Sequence, residues 1–150
     1  LPFANQSEMP ARYLLADVFV LPSSGLYETW GLAVNEAMHM GVPALVSERV
    51  GCQRDLVEDS ITGWVFQHVS TDELRRRLME AIVVIQHPTR HAALLENILE
   101  RIRGYTFKQA TARLASALAF VWASKNVGNP KRTKDLRPGT LARLEDKPRR

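Results

Sequence analysis

Residues 28–43 read E-T-W-G-L-A-V-N-E-A-M-H-M-G-V-P, and the order of residue types in this stretch decides the fold. Gly41 is placed to stop a helix, and Pro43 forbids its continuation. Thr29 stands where a side-chain cap would satisfy free backbone N–H groups, so the helix is predicted to begin near Trp30 or Gly31. Upstream, residues 17–22 (D-V-F-V-L-P) form the short apolar, β-branched run expected of a buried strand. Directly after Pro43, A-L-V-S at residues 44–47 reads as the next strand. Strand, loop, helix and strand make one β-loop-α-β unit, so the fold class is α/β, a parallel sheet flanked by helices.

Within that unit Glu36 is out of place. On a helix its neighbours three and four positions away are Leu32, Ala33 and Met40, a largely apolar stripe. A carboxylate there costs on the order of several kcal/mol unless something hydrogen-bonds it. One reading satisfies it inside the protein, through His39 at i+3, an Arg or a backbone donor. The other makes it a ligand site, because a carboxylate accepts two hydrogen bonds from a vicinal diol such as a ribose. Glu28, in the preceding loop, faces whatever the helix N-terminus faces. That terminus offers N–H donors and a positive dipole end, and Gly31 has no Cβ to block approach, a combination suited to a diphosphate.

With these residues in register, P-S-S-G-L-Y-E-T-W-G-L-A-V-N-E-A-M-H-M-G-V-P-A-L-V-S resembles the donor-binding segment of retaining GT-B glycosyltransferases, in particular the family 4 (group 1) enzymes, with their Glu, seven residues, Glu hallmark. The resemblance extends over about residues 3–66 and more loosely to 107. It implies a Rossmann-like sheet, part of the C-terminal domain of a GT-B fold, that binds a nucleotide-diphosphate sugar and passes the sugar to an acceptor with retention of configuration. It further implies that Glu36 holds the ribose hydroxyls and that the N–H groups around Trp30, Gly31 and Leu32 cradle the diphosphate. Glu28 is then the catalytic carboxylate that orients hydroxyls of the donor sugar, with Ser24 and Gly51 lining the same site. No metal or other cofactor is expected. The acceptor, a saccharide, a lipid or another molecule, would meet an N-terminal domain that these 150 residues lack. The expectation is therefore a piece of a longer cytoplasmic enzyme, inactive alone. The competing readings are a GT-B relative such as an epimerase or phosphorylase, and a non-catalytic nucleotide-sugar-binding module.

Composition sets the outer bounds. A chain of 150 residues with 45% hydrophobic content is long enough for one real core. It contains no long apolar run and no leader-like segment. The single cysteine, Cys52, excludes an internal disulfide and reads as a small residue in a tight Gly51-Cys52 turn in preference to a reactive thiol. The net charge of +4 is uneven: residues 127–150 hold eight Lys or Arg against three Asp or Glu. That Pro-, Lys- and Arg-rich tail has the composition of a disordered segment, and its lack of aromatics argues against nucleic acid as a partner. Peripheral contact with an anionic membrane is left open.

The remaining elements follow in chain order. Residues 1–6 read as a strand end, and Ser7 as the cap of a helix in which Tyr13 and Leu14 belong to the core. The loop over 47–59 contains a short helix at 53–58. Family members carry a Gly-Gly turn followed by Glu in this loop; Gly51 fits it, while Cys52 and Asp55 depart from it. Arg54 would meet either a phosphate or Glu58 at i+4. Residues 61–66 read as a turn and a strand, completing a β/α core over residues 1–67. Three helices follow over residues 71–124, near 71–86, 90–102 and 105–122. The first has Leu74, Leu78, Ile82 and Ile85 inward and residues 75–77 as its solvated face. The resemblance implies that the last helix braces the other domain, leaving Phe120, Val121 and Trp122 partly exposed. The four histidines lack metal-ligand spacing, and no phosphate-loop or nucleophile-elbow motif occurs.

Overall fold

The computed structural model describes residues 4–25 and 27–126. Three strands, β1 (Phe19–Leu21), β2 (Ala44–Ser47) and β3 (Gly63–Phe66), form a parallel sheet in the order β1-β2-β3. Its register places Phe19 opposite Ala44 and Ala44 opposite Gly63. All four residues of the central strand are buried, as expected of a strand covered on both faces. Around the sheet lie α1 (Met9–Tyr13), α2 (Leu32–His39), α3 (Gln53–Leu56), α4 (Thr71–Gln86) and α5 (Pro88–Ile102). Helix α2 packs on β1 and β2, α4 on β2 and β3, and α5 against both helices. Trp64, Met38, Leu45, Leu56 and Ile98 are the largest fully buried side chains of this core, each stabilising the fold by about 1.5–3 kcal/mol. The architecture is the α/β parallel sheet that residues 17–47 predict.

Several local readings need correction. Ser7 caps nothing: it lies in a turn, and Glu8 is the N-cap of α1, with its carboxylate accepting from the Asn5 N–H at 2.9 Å. Leu14, read as core, is 63% exposed, because α1 ends at Tyr13 and the chain turns away. On α4, Arg77 is not a solvated residue. Its guanidinium bridges Asp59 at 2.8 Å and Glu80 at 2.9 Å, and its side chain is 17% exposed. The same Asp59 accepts from the Val65 N–H at 3.1 Å, so this pair also closes the outer edge of β3. Ile82 is 37% exposed, and the buried residue of that helix is Ala81. Pro88 does separate two helices, and it also opens the second as its first residue, where its missing N–H costs nothing.

A separate unit begins at Phe107. Within it α6 spans Phe107–Asn126 and exposes Phe120, Val121 and Trp122 among its apolar side chains. The basic tail at 127–150 and the start of the first expected strand at 1–3 lie outside the described residues.

Candidate active site

The loops that follow β1 and β2 at their carboxyl ends carry the candidate site, the position where open α/β sheets bind ligands. The two loops are fastened together. The Cys52 N–H donates to the Trp30 carbonyl at 2.5 Å, and the Trp30 indole Nε1–H donates to Asp55 Oδ2 at 3.0 Å. Tyr105 packs on the Trp30 ring with centroids 6.2 Å apart and donates its hydroxyl to the Asp55 carbonyl at 3.3 Å. Gly51 must be glycine for steric reasons, because a Cβ there would lie 2.0 Å from the Thr29 carbonyl oxygen. Ser47, buried at the end of β2, donates to the Ser23 carbonyl at 2.5 Å and accepts from the Arg49 N–H at 3.2 Å, fixing the exit of β1 against that of β2.

These contacts determine how α2 begins. Gly31 is its N-cap, with φ +103°, a left-handed conformation that L side chains rarely adopt. The predicted cap does not form: Thr29 is exposed and its side chain bonds no helix amide, because its backbone is pressed against Gly51. The Gly31 carbonyl takes the Val34 N–H at 3.0 Å. The amides of Gly31, Leu32 and Ala33 have no acceptor among the described residues, so three donors stand at the positive end of the helix dipole. The helix closes as predicted, with Gly41 at φ +75° and the Val42 N–H returning to the Ala37 carbonyl at 3.0 Å.

Glu36 lies one turn into α2 and is half-buried. Its partner is not His39, whose Nδ1 meets the Asn35 carbonyl at 2.9 Å. It is Tyr13, 23 positions upstream on α1, which donates its hydroxyl to Glu36 Oε2 at 2.8 Å. Tyr13 is buried with Ala37 and Val42, its ring edge-on to Phe19 at 5.7 Å. Burial, then the bond to Glu36, then that carboxylate's charge push the phenol up to about 12, so it stays a donor throughout the neutral range. Glu36 Oε1 accepts no hydrogen bond among the described residues and is not a buried unpartnered atom; it is left open.

The other expected site residues are placed as follows. Glu28 is half-buried in the loop before α2, and its charge contributes to raising the Cys52 thiol. Leu32 is 67% exposed at the first position of the helix, and Ser24 is exposed just past β1. Trp30 is half-buried, and both its carbonyl and its indole serve the loop fastening. Cys52 is fully buried and directs its thiol to the Gly31 carbonyl at 3.7 Å. Burial pushes it up to about 12, which removes it as a nucleophile. Arg54 is exposed and forms no ion pair with Glu58, which pairs instead with Arg101. On the same rim His68 Nδ1 lies 2.7 Å from Glu48 Oε1 and 3.4 Å from Arg49 Nε. One nitrogen cannot donate and accept at once, and the shorter, charge-assisted contact with Glu48 prevails. Among the described residues no three His, Cys, Asp or Glu side chains converge as a metal ion needs. No helix among them is long and apolar enough to cross a membrane.

The family described as "Glycosyl transferases group 1" matches residues 1–91 of the chain. Among curated relatives, a glycogen synthase of Xanthomonas oryzae pv. oryzae is 32% identical over 114 residues, covering 71% of this chain and 22% of that protein. An uncharacterized glycosyltransferase of Methanocaldococcus jannaschii is 37% identical over 67 residues, 44% of this chain and 16% of that one. Among solved structures, the sucrose-phosphate synthase from Thermosynechococcus elongatus superposes with a TM-score of 0.69 at 22% identity, over 83% of this chain and 30% of that chain. That likeness concerns the fold. The chain spans about a fifth of the length of the glycogen synthases it matches.

Proposed function

The chain belongs to the glycosyl transferases group 1 family, and on that footing we propose that it is the donor-binding part of a transferase that moves a sugar from a nucleotide-diphosphate sugar to an acceptor, with retention of configuration. The observation that carries this reading is Glu36, one oxygen bonded by Tyr13 and the other without a partner among the described residues, one turn into a helix whose first amides likewise have no acceptor among them. Oε1 and those amides lie on one helix start, so a ligand carrying a vicinal diol and a diphosphate could use both.

In this reading Glu36 accepts the two ribose hydroxyls, and the amides around Trp30, Gly31 and Leu32 receive the diphosphate. As the sugar–phosphate bond breaks, negative charge grows on the departing diphosphate, and the amides and helix dipole stabilise it without a metal ion. Glu28 orients hydroxyls of the transferred sugar, with Ser24 and Gly51 beside it. The glycogen synthase relatives favour a saccharide as acceptor. In this role the chain works with residues beyond these 150, because the matched region is a minor part of each relative.

Calorimetric titration with UDP, GDP, ADP and their sugar conjugates tests the reading beside a Glu36→Ala variant. Two charge-assisted hydrogen bonds at about 1.5–3 kcal/mol each predict a loss of about a hundredfold or more in affinity, with the fold intact. Equal affinity in a folded Glu36→Ala protein would overturn it.

A further inference from the structure

We infer that Tyr13 is a positioning residue for nucleotide recognition: its hydroxyl fixes the rotamer of Glu36 so that Oε1 is presented to the ribose hydroxyls. The inference rests on the ribose-binding reading of Glu36.

Glu36 has three side-chain torsions, and freezing a side chain of this type costs up to about 2 kcal/mol in entropy. A free Glu36 would pay that at the moment of binding. Tyr13 settles it beforehand. Its ring has no freedom of its own, being 6% exposed, wedged edge-on against Phe19 and enclosed by Ala37 and Val42. From that fixed base the hydroxyl reaches Glu36 Oε2 at 2.8 Å. The other groups near this carboxylate on its own helix do not compete, since His39 is engaged with the Asn35 carbonyl. The bond uses one oxygen and leaves the other, which separates this arrangement from a carboxylate neutralised by its surroundings. A phenol suits the role better than a cation. It orients the carboxylate without cancelling the charge that strengthens bonds from the ribose.

Tyr13→Phe removes the hydroxyl and keeps the ring. The test titrates wild type and Tyr13→Phe with UDP, GDP and ADP and with their 2′,3′-dideoxy counterparts, which lack both ribose hydroxyls. The expected result is that Tyr13→Phe binds the preferred ribonucleotide about tenfold more weakly, the scale of one hydrogen bond to a charged group, while its affinity for the dideoxy form is unchanged. Val42→Ala, which loosens the same apolar cluster without touching the hydroxyl, should lower the melting temperature and leave the ribose-to-dideoxy ratio at the wild-type value. A ratio unchanged in Tyr13→Phe, or equal weakening of both ligands, overturns the positioning role and leaves Glu36 as the ribose carboxylate. A wild type that binds ribo and dideoxy forms equally overturns the reading of Glu36 and this inference with it.

Discussion

Gly51→Ala should be one of the most damaging single-methyl additions this protein can receive, and the damage is steric. An ideal Cβ at Gly51 lies 2.0 Å from the Thr29 carbonyl oxygen, 2.8 Å from its carbon and 3.0 Å from Trp30 Cα. Real Cβ atoms essentially never approach within 3.0 Å, so the two loops must separate by about 1 Å, and the obstacle is backbone. Overpacking of this kind costs about 1–3 kcal/mol. The separation also strains the Cys52 N–H bond to the Trp30 carbonyl, adding about 0.5–1.5 kcal/mol. The sum is about 1.5–4.5 kcal/mol. For a unit of roughly a hundred residues, at about 5 °C per kcal/mol, that corresponds to a melting temperature lower by about 8–22 °C. The assay is thermal and urea denaturation followed by circular dichroism, with a lower urea midpoint at an unchanged m-value. A melting temperature within about 2 °C of wild type would refute the close apposition of residues 29–31 and 51–52 on which the site geometry depends.

Further outcomes follow from the buried titratable groups and from the Arg77 ion pairs. Burial pushes the Cys52 thiol and the Tyr13 phenol up to about 12, from ordinary values of 9.0 and 10.0. The folded protein keeps protons that the unfolded chain releases, so stability is complete below about pH 9 and falls as pH rises toward 12. Cys52→Ser should remove the part of this loss that begins near pH 9, seen in urea midpoints across the range, and native Cys52 should resist alkylation at pH 8 until the protein unfolds. Arg77→Met strips the cation from between Asp59 and Glu80. Because both carboxylates are partly solvated, the expected cost is only about 1 kcal/mol, and 0.5 M salt should shrink it in the same denaturation assay.

The sheet was legible in the sequence because its signals are local. The apolar, β-branched run at 17–22 and the short run at 44–47, with Gly41 and Pro43 between them, specify a strand, a helix stop and a strand, and these appear as β1, the end of α2 and β2. What was not legible depends on contacts between distant segments. Thr29 has the right chemistry for a cap, but Gly51 holds its backbone elsewhere, and a left-handed Gly31 begins the helix in its place. Glu36 stands out as a carboxylate on an apolar stripe, yet the residue that answers it lies 23 positions away on another helix. The available signal was that position 13 is Tyr and not Phe, since a buried phenol needs a partner for its hydroxyl. Arg77 was misread for a similar reason: a run of three arginines suggests a solvated face, and only the fold brings Asp59 to the third.

Cys52 shows why a departure from a family pattern need not damage a site. The expected turn has two glycines, and only the first is required by the backbone. At position 51 a side chain would collide with Thr29, whereas at position 52 the side chain turns inward, beside Gly31. A Cβ on Gly31 would lie 3.0 Å from the Cys52 sulfur and 2.9 Å from Val50 Cγ1. The sulfur therefore occupies room that Gly31 leaves by having no side chain, and its weak donor falls on the Gly31 carbonyl. Burial keeps the thiol protonated, so the exchange of a hydrogen for CH2SH adds apolar volume under the loop and no charge above it. Asp55 fits the same account, since its carboxylate is engaged by the Trp30 indole. Both departures thus bond back to the loop that carries Glu28, Trp30 and Gly31.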